Sequence, residues 1–519
     1  MNEPTLTRRA MLKKLGLGAA AVSAPRWLTA AEKTAGRPNV LFVAVDDMRD
    51  WTVGLGGYAG KVHAPNQQRL ARMGVEFTHA YCASPVCCPS RTAVMTGLMP
   101  YSSGIYNNGQ WWKPHMPDAV TIPLHFRAHG YSAAGAGKIF HHTAGNNPPY
   151  QWDEFQRLVF RDDPWYRGAK LNYPWSKVAP PPAGFPFCGF KGLSHENDWG
   201  ALPGRDEADY DDAKTVDFAV EHLRRKHDKP FFLACGFFRP HLPWYVPRKY
   251  FDLYPLDGIK LPEAPADDLD DIPAEGLALA KARRSDLEKI TSAGKRKHAV
   301  QAYLASITFA DAQFGRLLDA LEGSAYAGNT VVVFWSDHGW HLGEKRHWHK
   351  MTLWEEATRV PLLIAAPGAA KAGGRCDRPV SLVDIYPTLI DLCGLKAKGE
   401  LDGRSLAPLL RDLDAQRDRP AVIAYKLGQC AVRSQRWRYI RYENGGQELY
   451  DHESDPNEWT NLAGRAKYKA IIADLARWVP KQFAPDAPTK GAYRFDPKTY
   501  SWVHKKTGKK TLGTAPAGK

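Results

Sequence analysis

Unbroken apolar runs alternate with helical periodicities along most of the chain. Residues 40–45 form a continuous run rich in β-branched side chains, the mark of a strand buried on both faces. Residues 231–236 and 331–335 read the same way, and 131–136 is a weaker strand. Residues 302–321 carry the 3.6-residue period of an amphipathic helix. Strands alternating with helices predict an α/β sheet covered on both faces. The pattern changes after about residue 410. Runs at 421–425, 429–434, 437–442 and 448–451 predict short antiparallel strands, followed by a helix over 468–483. Residues 161–206, rich in Pro, Gly and Trp, and 242–273, rich in Pro and Asp, read as long loops at a site mouth. The predicted organisation is a leader at 1–31, a large unit at 32–410, a smaller α+β unit at 411–504, and a solvated, disordered basic tail at 505–519.

Composition narrows the class. The 519 residues are 44% apolar and 24% charged, which excludes disordered and collagen-like chains. No apolar run reaches the roughly 18 residues of a membrane span, so no stable membrane insertion is expected. Thr7-Arg8-Arg9-Ala10-Met11 followed by an apolar stretch at 15–24 is a twin-arginine pattern, which predicts delivery to the twin-arginine export machinery and a periplasmic or extracellular location. Met11 replaces the usual Phe. A basic amphipathic helix is the alternative reading. Net charge is +15. The leader carries five basic residues and one acidic residue, so the rest stays basic near +11. A basic protein outside the cytoplasm fits acidic polysaccharide better than nucleic acid. Eight cysteines are too few for a disulfide scaffold, and their pairing cannot be deduced.

The chemistry sits where predicted strands stop. The first ends in Asp46-Asp47, the second runs into Arg239-Pro240-His241, and the third ends in Asp337-His338. In open α/β sheets, ligands bind beyond the carboxyl ends of strands. Paired aspartates can also be helix caps. Converging carboxylates repel unless a cation separates them, and Asp oxygens favour Ca²⁺ or Mg²⁺. His338 could ligate that cation or hydrogen-bond to a substrate. Pro85-Val86-Cys87-Cys88-Pro89-Ser90-Arg91 precedes a helical run. Pro89 suits a first turn, Ser90 a cap, and Cys87 the helix N-terminus, where an anion is favoured. A buried structural cysteine pair and a thiolate activated by Arg91 are the other readings.

Cys87-Cys88-Pro89-Ser90-Arg91 resembles the C-x-P-S-R signature of type I sulfatases. Only Cys87 has Pro at +2 and Arg at +4. The likeness extends through Asp46-Asp47, a helix at 64–77, Gly137-Lys138-Ile139-Phe140-His141, Ser336-Asp337-His338-Gly339, residues 383–389, and 449–462. Within the family, Arg239-Pro240-His241-Leu242-Pro243, His338, Trp340 and Trp348-His349-Lys350 are similar to iduronate-2-sulfatases. Glu344-Lys345-Arg346-His347 departs from the more usual E-H-G.

The resemblance implies an alkaline-phosphatase-like α/β/α sandwich with a large mixed sheet and a smaller C-terminal antiparallel sheet. It implies that a formylglycine-generating maturation enzyme oxidises Cys87, whose hydrated aldehyde attacks the sulfur of a sulfated oligosaccharide or polysaccharide. Ca²⁺ or Mg²⁺ would rest on Asp46, Asp47, Asp337 and His338, with the side chain at Cys87 beside it. Arg91 and Lys138 would neutralise charge, and His141 would take the diol proton. His241 and Lys350 would hold the sulfate and protonate the leaving group. Tyr106, Trp112, Lys113 and Trp340 would contact sugar, with plain packing as the alternative. Two rivals share parts of this reading. A phosphonate monoester or phosphodiester hydrolase would keep nucleophile and metal. A non-catalytic polyanion binder would rest on charge alone.

Overall fold

The computed structural model describes residues 36–52, 54–157 and 183–514. The predicted leader with its twin-arginine pattern and much of the first long loop lie outside these residues. Eight strands form the main sheet: β1 (Asn39–Val45), β2 (Val75–Phe77), β3 (Ser132–Gly137), β4 (Glu154–Gln156), β5 (Phe231–Gly236), β6 (Thr330–Ser336), β7 (Leu362–Ala365) and β8 (Gly374–Cys376). Their order is β8-β2-β7-β6-β1-β5-β3-β4. β7 runs antiparallel to both β6 and β2, and the remaining pairs are parallel, so the sheet is mixed.

The continuous apolar run of β1 has a direct cause. Strand side chains alternate faces, and both faces of β1 are covered. Val40, Phe42 and Ala44 join a core with Tyr386 and Leu389 of helix Ile385–Leu392. Leu41, Val43 and Val45 join a second core with Leu304 and Phe314 of helix Arg296–Glu322. The result is an α/β/α sandwich.

Register brings the reactive residues together. β1 pairs Val45 with Ser336 of β6 and Ala44 with Gly236 of β5. Asp46, Asp337 and the 237–241 segment therefore leave the sheet at one level. At the end of β3, Gly137 has φ +74°, and a Cβ there would lie 2.0 Å from the Gly236 carbonyl oxygen. Only glycine fits this turn, which carries the chain into Lys138.

The C-terminal part holds an antiparallel sheet of β9 (Ala421–Ala424), β10 (Cys430–Arg433), β11 (Trp437–Arg441) and β12 (Gln447–Asp451). Helix Lys469–Ala476 packs on it through Leu475. This helix is shorter than its sequence suggests, ending before Pro480, which cannot continue the hydrogen-bond ladder. The basic tail also departs from expectation. Lys510–Leu512 pairs with Ser501–His504, which pairs with Tyr493–Asp496, and Trp502 packs against Trp111. The predicted helix at 64–77 is Pro65–Met73, because Gly74 ends it and Val75–Phe77 joins the sheet. The loop at 242–273 contains strand Trp244–Tyr245 and helix Arg248–Asp252.

Arg438 on β11 pins this sheet to the main body. Its fully buried guanidinium pairs with Glu355 and lies 2.5 Å from Glu458, while Nη1 donates to the Leu353 carbonyl. Arg433 also faces Glu355. These cations explain why Glu355, Glu458 and His452 cluster as they do; the group is an ion-pair network. Arg438→Met should destabilise the protein by about 3–5 kcal/mol, since it strands buried carboxylates. Urea unfolding checks this, and a loss below about 1 kcal/mol would show the network to be solvated.

Candidate active site

Asp46 and Asp47 directly follow β1, and no helix follows for them to cap. Asp47 takes a left-handed turn, φ 62°, which Asp tolerates better than bulkier residues. Its N–H donates to Asp337 Oδ1 at 3.1 Å. The helix predicted after Cys87 is Cys87–Thr96, with Cys87 as its first residue. Ser90 is not the cap. It lies inside the helix, and its hydroxyl donates to the Asp337 carbonyl at 2.6 Å.

Four groups converge. Ligand atoms of Asp46, Asp47, Cys87 and His338 all lie within 4.8 Å of one another, and all four residues are buried. The His338 Nδ1 edge faces the Gly339 carbonyl at 3.1 Å. That oxygen can only accept, so Nδ1 carries the proton in neutral imidazole. Nε2, 3.2 Å from Cys87 Sγ, then offers its lone pair to the cluster. Asp337, expected as a fourth metal ligand, borders this group, its Oδ2 3.6 Å from His338 Nε2. Its oxygens receive the N–H groups of Asp47 and His338 and Nε of Arg91. It braces the turn that aims Asp47.

Cations surround the carboxylates. Lys138 pairs with Asp46. Lys350 Nζ lies 2.5 Å from Asp47 Oδ1 and 3.2 Å from Cys87 Sγ. Arg91 is fully buried and donates to Asp337 and to the carbonyls of Val45, Lys138 and Ile139. It ties three strand ends together. His241 Nε2 lies 3.7 Å from Asp47 Oδ2. His141 bonds through Nδ1 to Thr143. His142, next in sequence, lies between the two, its ring centroid 4.5 Å from His141 and 6.4 Å from His241. The adjacent histidine pair was the one sequence signal for His142.

These neighbours set the protonation states. Burial works to raise the Asp46 pKa, but Lys138, Arg91 and Lys350 outweigh it and hold the carboxyl well below the usual range. Asp47 is pushed up to about 7, by burial first and then by Asp46 and Cys87, against the pull of Lys350 and His338. Burial raises the Cys87 thiol despite Lys138 and Lys350. An unmodified Cys87 is therefore a thiol rather than a ready thiolate. Cys88 turns away, toward the Gln110 carbonyl and Asn146 Oδ1, each 3.7 Å from its sulfur. All eight cysteines are buried free thiols.

A hard cation fits this donor set. Asp46 Oδ1 and Asp47 Oδ2 are buried without a hydrogen bond; Arg91 Nη2, 3.5 Å from the first, and His241 Nε2, 3.7 Å from the second, do not supply one, so both oxygens keep lone pairs for a cation. Two carboxylates with an imidazole nitrogen suit a divalent ion that prefers oxygen.

The expected sugar-contacting residues separate. Tyr106 donates its hydroxyl to the Ala484 carbonyl, and it borders a cleft with Asn108, Tyr425 and the sequence neighbours of Cys87 and Lys350, Val86 and Met351. Trp112 and Lys113 are not brought to the site. Trp112 stacks on Phe140 and donates to the Asn146 carbonyl. Lys113 is 2% exposed, and its ammonium donates to the Pro117 carbonyl. Trp340 is buried beneath Lys350, whose Nζ lies 5.3 Å from the ring centroid. It supports that lysine.

A mixed-sheet sandwich with acidic, basic and nucleophilic side chains at its strand ends defines a hydrolase of the alkaline-phosphatase-like fold. The pattern of the Sulfatase family matches residues 38–395, and that of the N-sulphoglucosamine sulphohydrolase C-terminal region matches 343–483. The chain belongs to the sulfatase family and is a sulfuric ester hydrolase. It is 39% identical over 476 residues to a sulfatase of Formosa agariphila, with 90% of each chain covered. It is 31% identical over 412 residues to iduronate 2-sulfatase of Homo sapiens, with 71% of each covered. The phosphonate monoester hydrolase of Agrobacterium radiobacter shares the fold, with a TM-score of 0.69 at 23% identity, over 85% of this chain and 94% of that one.

Proposed function

We propose that this protein is an exported sulfatase that hydrolyses sulfate esters of sulfated saccharides, with a uronate 2-O-sulfate as its type of substrate. The observation that carries the reading is Cys87 at a helix N-terminus, 3.2 Å from both Lys350 Nζ and His338 Nε2 and within the carboxylate cluster. The saccharide class rests on the identity with iduronate 2-sulfatase and on the cleft bordered by Tyr106 and Tyr425. Export rests on the twin-arginine pattern; cell fractionation tests it, and mature protein retained in the cytoplasm would reject it.

Two groups would complete the site. Cys87, oxidised to formylglycine by a maturation enzyme, would supply a hydrated aldehyde as nucleophile. A Ca²⁺ or Mg²⁺ ion held by Asp46, Asp47, Asp337, His338 and the side chain at 87 would supply Lewis acidity toward a sulfate oxygen.

The chain's own residues do the rest. Asp46, Asp47 and Asp337 are met by Lys138, Lys350 and Arg91. Carboxylates and cations balance three to three, so a bound divalent ion leaves the site positive and suited to a sulfate monoanion. Lys138 and Arg91 hold the carboxylates in place. Lys350 and, in its imidazolium form, His241 lie beside Asp47; they bind sulfate oxygens and protonate the leaving alkoxide. Trp340 under Lys350 keeps that ammonium aimed at the nucleophile.

Sulfate release from a panel of sulfated oligosaccharides tests this. Uronate 2-O-sulfate should be cleaved well ahead of its regioisomers, and an aryl phosphonate should be a poor substrate. Phosphonate cleavage without sulfate release would overturn the reading and leave only nucleophile and metal residues in place.

A further inference from the structure

We propose that Lys490 and Thr143 fix His141 as the tautomer with its proton on Nε2, so that this histidine meets the site as a hydrogen-bond donor. The inference rests on the proposed reading of the site, to which the cavity shared with Lys138 joins His141. Lys490 lies beyond both family matches, which end at residues 395 and 483.

Lys490 reaches the site from a backbone clasp. Its N–H donates to the Gly109 carbonyl at 2.6 Å, and Thr489 bridges to Gln110. Its side chain passes inward and is only 4% exposed. Nζ donates to the Asn108 carbonyl at 2.7 Å and to Thr143 Oγ1 at 2.6 Å. An ammonium has donors and no acceptor.

Thr143 Oγ1 has a second donor. Asn146 Nδ2 lies 2.6 Å away. The same nitrogen lies 3.1 Å from the Thr143 carbonyl, which can only accept, so the amide orientation is fixed. Two N–H groups occupy the acceptor positions of the hydroxyl. Its single hydrogen is left for His141 Nδ1, 2.8 Å away. Nδ1 therefore accepts, and neutral imidazole must carry its proton on Nε2. The ring is kept neutral because burial, followed by Lys490, Lys138, Lys350 and Arg91, holds its pKa well below the ordinary value.

This reverses the expected role. A proton acceptor at the site would need a free lone pair on Nε2. The hydrogen bonds instead leave the proton on Nε2, where it can be donated to an oxygen bound in the cavity that His141 shares with Lys138. Lys490 and Thr143 are positioning residues for His141, which lines one cavity with Lys138, the lysine paired with Asp46.

Long-range proton–nitrogen NMR of the full-length mature protein labelled with ¹⁵N-histidine tests the tautomer. His141→Gln assigns the signals. Wild-type protein should show Nδ1 in the unprotonated range and Nε2 in the protonated range. Thr143→Val should shift both toward intermediate values, and Thr143→Ser, which keeps the hydroxyl, should restore them. Lys490→Met should act like Thr143→Val. Both disruptive variants should lower kcat roughly tenfold, the effect of one misdirected hydrogen bond of about 1.4 kcal/mol, with KM little changed. A protonated Nδ1 in the wild type, or an unaltered tautomer in Thr143→Val, would overturn the inference. If Lys490→Met fails to fold, the Thr143 pair still decides. If no sulfated saccharide is cleaved, the substrate reading fails, while the NMR result still stands or falls by itself.

Discussion

On the proposed mechanism, protein produced without a formylglycine-generating enzyme should carry a thiol at residue 87 and release sulfate on the order of 10⁴-fold or more slowly than matured protein, as for other enzymes stripped of their nucleophile. The reason is local. Burial raises the Cys87 thiol above its ordinary pKa in spite of Lys138 and Lys350, so the unmodified side chain is neither a strong nucleophile nor a group that can release sulfate after attack. A thiol offers one position for the sulfuryl group. An aldehyde hydrate offers two hydroxyls, one to attack and one whose proton loss expels the product. Mass spectrometry of the peptide containing Cys87, read beside sulfate release, gives the result. Co-expression with the maturation enzyme should raise conversion and rate together. Cys87→Ala should stay inactive under both conditions. Cys88→Ala should mature normally, because Cys88 points to Gln110 and Asn146 rather than into the cluster. Full turnover by protein shown to lack the aldehyde would sink the mechanism.

How much of this was legible in the sequence follows from the range of each interaction. β1, β5 and β6 could be read because both faces of each are buried, which leaves a run of apolar residues with no polar break. Their polar endings could be read for the same reason, since Asp46, His241 and Asp337 fall just where those runs stop. Strands β2, β4 and β8 could not, because three-residue strands have no period to detect, and they exist only through pairing with distant partners such as Leu363 and Ala134. The C-terminal strand Lys510–Leu512 was hidden by its composition. Its lysine and threonine look like a solvated tail, and pairing with Val503 and Trp502 is what orders it. Side-chain direction was the hardest to read. Lys113 and Trp112 have the residue types of a sugar site, yet the carbonyls of Pro117 and Asn146 draw them inward. Lys490 had no such signal at all. Its partner Thr143 is 347 residues away in sequence, and only the backbone clasp at Gly109 brings the two together.

Removing the proposed divalent cation should abolish activity and destabilise the fold, and both effects should depend on pH in a defined direction. The site holds Asp46 Oδ1 and Asp47 Oδ2 buried with no hydrogen-bond partner. Asp47, pushed up to about 7 by burial and then by Asp46 and Cys87, competes for a proton and a cation in the same range. Its folded pKa lies above the unfolded value, so Asp47 favours the metal-free fold at low pH, and that contribution is lost as pH rises toward 7. The cation needs the ionised form. Its affinity should therefore fall as pH drops below 7, by up to about tenfold per pH unit for one displaced proton, and level off above 7. At a free concentration 100 times Kd, a bound ion stabilises the fold by about 2.7 kcal/mol. The increase in melting temperature on adding Ca²⁺ or Mg²⁺ to chelator-treated protein should be larger at pH 8 than at pH 6. Comparing the two conditions within each pH cancels the buried histidines remote from the ion, which titrate alike with and without it. Asp47→Asn cannot release that proton. It should lose the pH dependence of the shift and lower kcat about 10³-fold through weakened charge stabilisation at the sulfuryl oxygens. No shift at either pH, or an Asp47→Asn variant with wild-type turnover after chelation, would remove the cation from the site, and an equal shift at both pH values would remove the Asp47 proton from the competition.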